Sequence, residues 1–276
     1  MELKFGWETV SIGETPIQAF LSSYVQVQDT APMVILVQEV WGVNDHIEDV
    51  AIRFAKAGYS VVAPDLLSIG GVRAPEVSFA RVEELKGVID SVGFAVFGDP
   101  NKRRETLESM DPELAERIVQ TQEMTFSQIA KKNEYVETIK SIIKGYKSKS
   151  NSRKVGAVGF CMGGGIVSAL ACSDSELDVG VSFYGGVPSE DIMGNISCPL
   201  LGIYAGEDQA VNSGIETFKK HAEAVNGDYR VVIYPGAQHG FHNDTRPAYS
   251  IDASRDVWAR CLTMFSEFLG EDYSAL

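Results

Sequence analysis

Lys154-Val155-Gly156-Ala157-Val158-Gly159-Phe160-Cys161-Met162-Gly163-Gly164-Gly165 is the stretch that decides the fold. An apolar run with strand character ends in Gly-x-Cys-x-Gly-Gly, and a helical stretch follows. This is the pattern of a sharp strand-to-helix turn with a nucleophile at its apex, here cysteine in place of serine. Gly159 and Gly163 flank the apex two positions away on either side, where side chains would collide with the tight turn. The helix that follows aims its free N–H groups and its dipole at the apex, which favours negative charge there and so helps a thiolate form. The plainer alternative is a buried structural cysteine in a glycine-rich turn.

Moving outward from this turn, short apolar runs alternate with longer helical patterns, the mark of a mostly parallel sheet with crossover helices. Phe5–Ile12 and Ile17–Ser23 read as two antiparallel strands around a turn at 13–16. Met33–Val37 reads as a buried strand, and a helix capped by Asn44 or Asp45 follows and stops at Gly58. Further strands are expected at Ser60–Ala63, Lys154–Phe160, Val179–Tyr184, Leu200–Ala205 and Arg230–Tyr234. Helices are expected at Phe126–Tyr146, with Ile129, Val136, Ile139 and Ile143 on its inner face, and at Ser250–Leu269. Residues 68–122 are less regular, apart from a helix start at Asp111-Pro112. They read as a lid-like insertion over the active site or as surface elaboration. The expectation is one α/β domain over residues 1–276, of α/β-hydrolase fold, with a mostly parallel central sheet flanked by helices.

Composition narrows the function. A chain of 276 residues with 45% apolar residues can bury a substantial core, and its net charge of −14 disfavours nucleic acid and anionic membranes. No signal peptide and no apolar stretch of membrane-spanning length is read. The four cysteines, Cys161, Cys172, Cys198 and Cys261, are widely spaced. They read as free thiols in a cytoplasmic protein, with no zinc site. No cofactor and no metal is expected, and the chain is expected to be a monomer or weak homodimer.

A nucleophile at such a turn needs a base, and the base needs an orienting carboxylate. In this fold they follow in the order nucleophile, acid, histidine. The four histidines are His46, His221, His239 and His242. His239 follows the last strand in a glycine-flanked loop and is the candidate base. His242 is its competitor, as a surface-loop residue or a substrate contact. His221 reads as a solvated helix residue and His46 as a cap or surface residue. Leu200–Ala205 leads into Gly206-Glu207-Asp208, so Asp208 is the candidate acid and Glu207 the alternative.

These pieces, with Gln38-Glu39-Val40-Trp41-Gly42-Val43-Asn44, Gly58–Leu66 and Gly236-Ala237-Gln238-His239-Gly240-Phe241, make the chain resemble the dienelactone hydrolase (carboxymethylenebutenolidase) family from about Pro32 to Leu269. The resemblance implies a Cys161–His239–Asp208 triad. It implies that Glu39 lies beside the cysteine and controls its protonation, although Glu39 could instead cap the following turn. It implies an oxyanion hole from the backbone N–H groups of Val40 and Met162, and a small ester or lactone substrate carrying a carboxylate held by arginines. Trp41, Arg81 and His242 are the candidate substrate-binding residues. The chain departs from the family in lacking an arginine just after the histidine: Arg246 comes later, and Arg81 or Arg73 is the upstream counterpart. A non-catalytic small-molecule binder and a redox-sensing thiol protein are the competing functions.

Overall fold

Strands β1 (Leu3–Ile12), β2 (Thr15–Tyr24), β3 (Met33–Val37), β4 (Ser60–Pro64), β5 (Val155–Phe160), β6 (Val179–Phe183), β7 (Leu200–Ala205) and β8 (Tyr229–Tyr234) form one sheet. The computed structural model describes residues 1–149, 153–174 and 176–270. The strand order is β1-β2-β4-β3-β5-β6-β7-β8. β1 and β2 form an antiparallel hairpin and β2 pairs antiparallel with β4, while every pairing from β4 to β8 is parallel.

The apolar runs became strands because parallel strands covered on both faces carry no solvent-facing alternation; β3, β4, β5, β6 and β7 are buried along their whole length. One face packs on helices Asp45–Lys56 and Ile251–Leu269 around Phe54, Val257 and Phe265. The other packs on helices Lys132–Lys147, Met162–Ala171 and Ile215–Ala224 around Ile139, Ile166 and Phe218. Asn44 caps the first of these helices, its side chain accepting a hydrogen bond from the Ile47 N–H.

Three expectations need correction. The helix expected over Phe126–Tyr146 is divided: one helix spans Pro112–Ser127, a 3-10 turn covers Gln128–Lys131, and a second helix spans Lys132–Lys147. Gln128 turns inward at this joint to accept a hydrogen bond from the Tyr135 hydroxyl. Ile129, expected inside, is therefore rotated out and is 51% exposed. The stretch expected to be irregular is largely helical. It contains Phe79–Val92, Phe94–Gly98, Pro100–Glu108 and the start of Pro112–Ser127. Asp99 and Asp111 each cap a helix that begins with proline, accepting two backbone N–H groups apiece. These helices bury Val82, Leu85, Ile89, Phe97 and Ile118 against Val40, Trp41 and Leu67. This helical stretch thus rests on the loop that leaves β3.

β3 has β4 on one side and β5 on the other. Chain direction across the sheet reverses there, and the carboxyl ends of such a strand pair open a crevice where ligands bind in sheets of this kind. Glu39 follows β3 and Cys161 follows β5, so both sit at its mouth. Among the described residues, no helix is long and apolar enough to cross a membrane.

Candidate active site

Cys161 has φ 53° and ψ −114° and directly precedes helix Met162–Ala171. This is a costly conformation for a residue with a side chain. The turn is held by two backbone bonds, Cys161 N–H to Phe183 O at 3.0 Å and Gly165 N–H to Cys161 O at 3.1 Å. A Cβ on Gly159 would run into the backbone of Gly163, and one on Gly163 would run into the Val37 carbonyl. The glycines therefore let β5, β3 and the helix meet. As the first residue of its helix, Met162 has an N–H with no carbonyl four residues back in the helix to receive it.

His239 lies beyond β8 and Asp208 beyond β7. Asp208 Oδ2 receives a 2.5 Å hydrogen bond from His239 Nδ1, and its Oδ1 caps the helix Gln209–Asn212 by accepting from Val211 N–H. One carboxylate is thereby fixed from two directions. Glu207, the alternative acid, is exposed in the turn. Burial alone would lower the His239 pKa. The negative charge of Cys161, hydrogen bonds to Asp208 and to Cys161, and the charge of Asp208 outweigh it and push the imidazole up to about 11. The side chain is 41% exposed, so the imidazole remains reachable from solvent.

Glu39 is buried and held by two donors, Asn243 Nδ2 at 2.7 Å and the Tyr184 hydroxyl at 3.3 Å. Tyr184 is fully buried and lies 5.1 Å, centroid to centroid, from the His239 ring. Burial, then the charges of Glu39 and Cys161, push its hydroxyl well above the ordinary range. Tyr184 is thus the neighbour that Glu39, Cys161 and His239 share. It also has positive φ, at 39°, so two of the strained residues sit at this crevice. Sequence reasoning passed over both Tyr184 and Asn243. Tyr184 stood in view at the end of an expected strand, and Asn243 occupies the place where the missing arginine was sought.

The candidate substrate-binding residues are dispersed. Trp41 is buried, meets Phe126 edge-on at 5.9 Å, and has the Arg246 guanidinium 5.1 Å from its ring centre. Arg81 joins two helices of the insertion, donating to Thr121, to the Arg117 carbonyl and to Gln120. Arg73 is locked on Asp65 by bonds of 2.6 and 3.0 Å. His242 is not on the surface: it is 1% exposed, nearly parallel to the rings of Phe160 and Trp258, and near Phe183. His46, expected as a cap or surface residue, is also 1% exposed, because the loop after His239 folds over it and Asp244 meets its Nδ1 at 3.4 Å. His221 is partly exposed and faces Glu190.

Val40 and Met162 are both buried at the crevice, at the starts of the segments that follow Glu39 and Cys161. Cys172, Cys198 and Cys261 are buried free thiols, and burial pushes the first two up to about 12. No cluster of His, Cys, Asp or Glu suited to a metal ion occurs among the described residues. A thiol, an imidazole, a carboxylate bonded to the imidazole, and a free backbone N–H at a helix start are groups that acyl transfer can use.

Comparison with known proteins gives the family. The model of the family described as "Dienelactone hydrolase family" matches residues 17–269. A Saccharolobus solfataricus protein named "Putative carboxymethylenebutenolidase" is 32% identical over 259 residues, covering 88% of this chain and 91% of that protein. A crystal structure from Klebsiella pneumoniae, described as a "Putative Dienelactone Hydrolase", is 25% identical with a TM-score of 0.69, covering 97% of this chain and 100% of that one. The dienelactone hydrolase structure from Anabaena variabilis is 18% identical with a TM-score of 0.59, covering 98% and 100%, and speaks for the fold alone. With the family model spanning nearly the whole sheet, the chain belongs to the dienelactone hydrolase family and is a hydrolase of that type.

Proposed function

We propose that the chain cleaves a small ester or lactone through an acyl-enzyme on Cys161, with His239 as proton shuttle and Asp208 as its orienting acid. The observation that carries this reading is the meeting of three strand ends: Asp208 bonded to His239 at 2.5 Å, and His239 raised by the charge and hydrogen bond of Cys161. In the reactive state the Cys161 thiolate faces an imidazolium. Sulfur attacks the carbonyl carbon, and the oxygen takes the negative charge opposite the N–H groups of Val40 and Met162. Removing one such donor costs on the order of 100-fold in rate. His239 gives its proton to the leaving oxygen, then takes one from the water that attacks the thioester. Collapse of that adduct frees the acid and restores the thiolate.

Glu39 is assigned the control of the thiol proton. Its two neutral donors, Asn243 and Tyr184, hold the Glu39 side chain at the crevice, and a negative charge near the sulfur would disfavour the thiolate. The insertion is assigned the role of a lid, since it rests on Val40 and Trp41. The free thiols suit a reducing, cytoplasmic setting.

Mixing the protein with 4-nitrophenyl acetate tests the reading. A burst of 4-nitrophenolate matching the enzyme concentration is expected, with an acetyl group found by mass spectrometry on the peptide holding Cys161. Both vanish in Cys161→Ala. A burst that survives in Cys161→Ala, or an acetyl group on another residue, rejects the mechanism.

A further inference from the structure

We propose that the outer edge of β1 binds a second copy of this chain, strand to strand about a two-fold axis at Gly6, so that two sheets join into one.

β1 ends the strand order, and among the described residues no strand pairs with its outer side. It is ten residues long and holds no proline, so it lacks two usual guards against edge pairing, brevity and proline. The direction of its free backbone groups follows from its neighbours. Gln18 stands opposite Thr9, yet it gives its N–H to Ser68 Oγ and its carbonyl to the Asp65 N–H, both away from β1. Val25, one step beyond the Leu3–Tyr24 pair, does bond across the ladder, its N–H meeting the Glu2 carbonyl at 2.9 Å. Even-numbered residues of β1 therefore bond toward β2, and Leu3, Phe5, Trp7, Thr9 and Ser11 direct their N–H and C=O groups outward.

The side chains say which strand fits there. On one face, Phe5 and Trp7 both lie against Phe20, Trp7 also meets Phe79 edge-on at 5.6 Å, and Phe5, Trp7 and Phe79 are exposed. On the other face, Lys4 and Glu8 are exposed and meet at 3.5 Å, with open space where a Cβ on Gly6 would stand between them. Antiparallel pairing of β1 with itself about Gly6 sets Lys4 against the partner's Glu8 and Phe5 against the partner's Trp7, each of them twice. Phe5 and Trp7 are both outward-bonding, so the same register also closes the backbone ladder. Opposite charges and aromatic pairs directly across a ladder stabilise it, and like charges destabilise it. Neighbouring axes fail on charge: one at Phe5 sets Glu2 against the partner's Glu8, and axes at Lys4 or Glu8 set each residue against itself. An axis at Trp7 loses both ion pairs. The charge pattern of β1 is thus its own complement, which singles out a second copy as the occupant. β3, which leads into the crevice, lies three strands in from β1, about 15 Å at the usual strand spacing, so the pairing leaves Cys161 uncovered.

Sedimentation of the full chain over a concentration series reads the association. The wild type is expected to pass from one to twice the chain mass as concentration rises. Lys4→Glu and Glu8→Lys, each alone, put like charges at both ends of the ladder and are expected to raise the dimer Kd by about tenfold. Mixed in equal amounts, the two variants meet each other through opposite charges only, so a heterodimer with near wild-type Kd is expected. No rearrangement inside one chain reproduces that rescue. Both side chains are exposed, and thermal unfolding verifies that each variant is folded. A wild type that stays monomeric across the series overturns the proposal. So does a dimer whose Kd neither variant raises, as one held by the β8 edge would behave, and so does a mixture that associates no better than either variant alone.

Discussion

Two regions flank the carboxyl end of β5, and each takes a histidine from one loop. In front, His239 is 41% exposed, bonded to Asp208 and pushed up to about 11. Behind, His242 is 1% exposed among Phe160, Phe183 and Trp258, and burial, then His46 and Arg53, bring it down to about 3. Both ring nitrogens of His242 lack a partner among the described residues. Residue type and sequence neighbourhood are nearly shared, so the difference lies in what each ring meets. A carboxylate and a sulfur make one imidazole a cation, while aromatic walls keep the other neutral.

The signs oppose each other. With a folded pKa above the unfolded value near 6.5, the His239 contribution to stability is complete below that value and fades as pH climbs toward 11. With a folded pKa below 6.5, the His242 contribution is present above that value and fades as pH falls toward 3.

The largest effect that would break this contrast is catalytic. His239→Ala is expected to lower kcat by on the order of 1,000-fold, and His242→Phe by less than about tenfold, as aromatic replaces aromatic in a packed pocket. Steady-state ester hydrolysis decides it, and equal losses would erase the distinction. A smaller effect sharpens the front region. Asn243→Ala removes a donor from buried Glu39, which is expected to cost about tenfold in kcat/KM. An unchanged kcat/KM would reduce Asn243 to scaffolding. The smallest effect belongs to the back region. His242→Phe is expected to gain about 1 kcal/mol, because an unpartnered buried polar group is removed, and to retain more stability between pH 6 and 4. Urea unfolding at several pH values measures both, and an unchanged pH slope would contradict the neutral buried imidazole.

What was readable in the sequence follows the range of the interactions involved. Cys161, Asp208 and His239 each follow a strand written as a local run, directly or within a short loop, so their positions follow from short patterns once the strands are parallel. The same holds for the sheet, since β3 and β7 fall at Met33–Val37 and Leu200–Ala205 as the apolar runs indicated. The burial of His46 was not readable, because Asp244, 198 residues away, closes over it. Nor was the Asn243–Glu39 bond, which spans 204 residues. The break at Gln128 depends on one side chain finding Tyr135, which helical periodicity does not encode. The helix at Pro100 is a different case: Asp99-Pro100 carries the same start signal as Asp111-Pro112, but glycines at 93 and 98 obscured it.

The backbone angles at Cys161 imply a conflict between durability and chemistry. A residue with a side chain at positive φ gives up about 1–3 kcal/mol, and here a cysteine holds that shape directly before helix Met162–Ala171. Cys161→Gly would shed the strain with the thiol. Calorimetry should find that inert protein melting a few degrees above its parent, since losing a partly buried side chain gives back only part of the difference. Selection for heat resistance alone would then erode the proposed nucleophile before it touched the sheet.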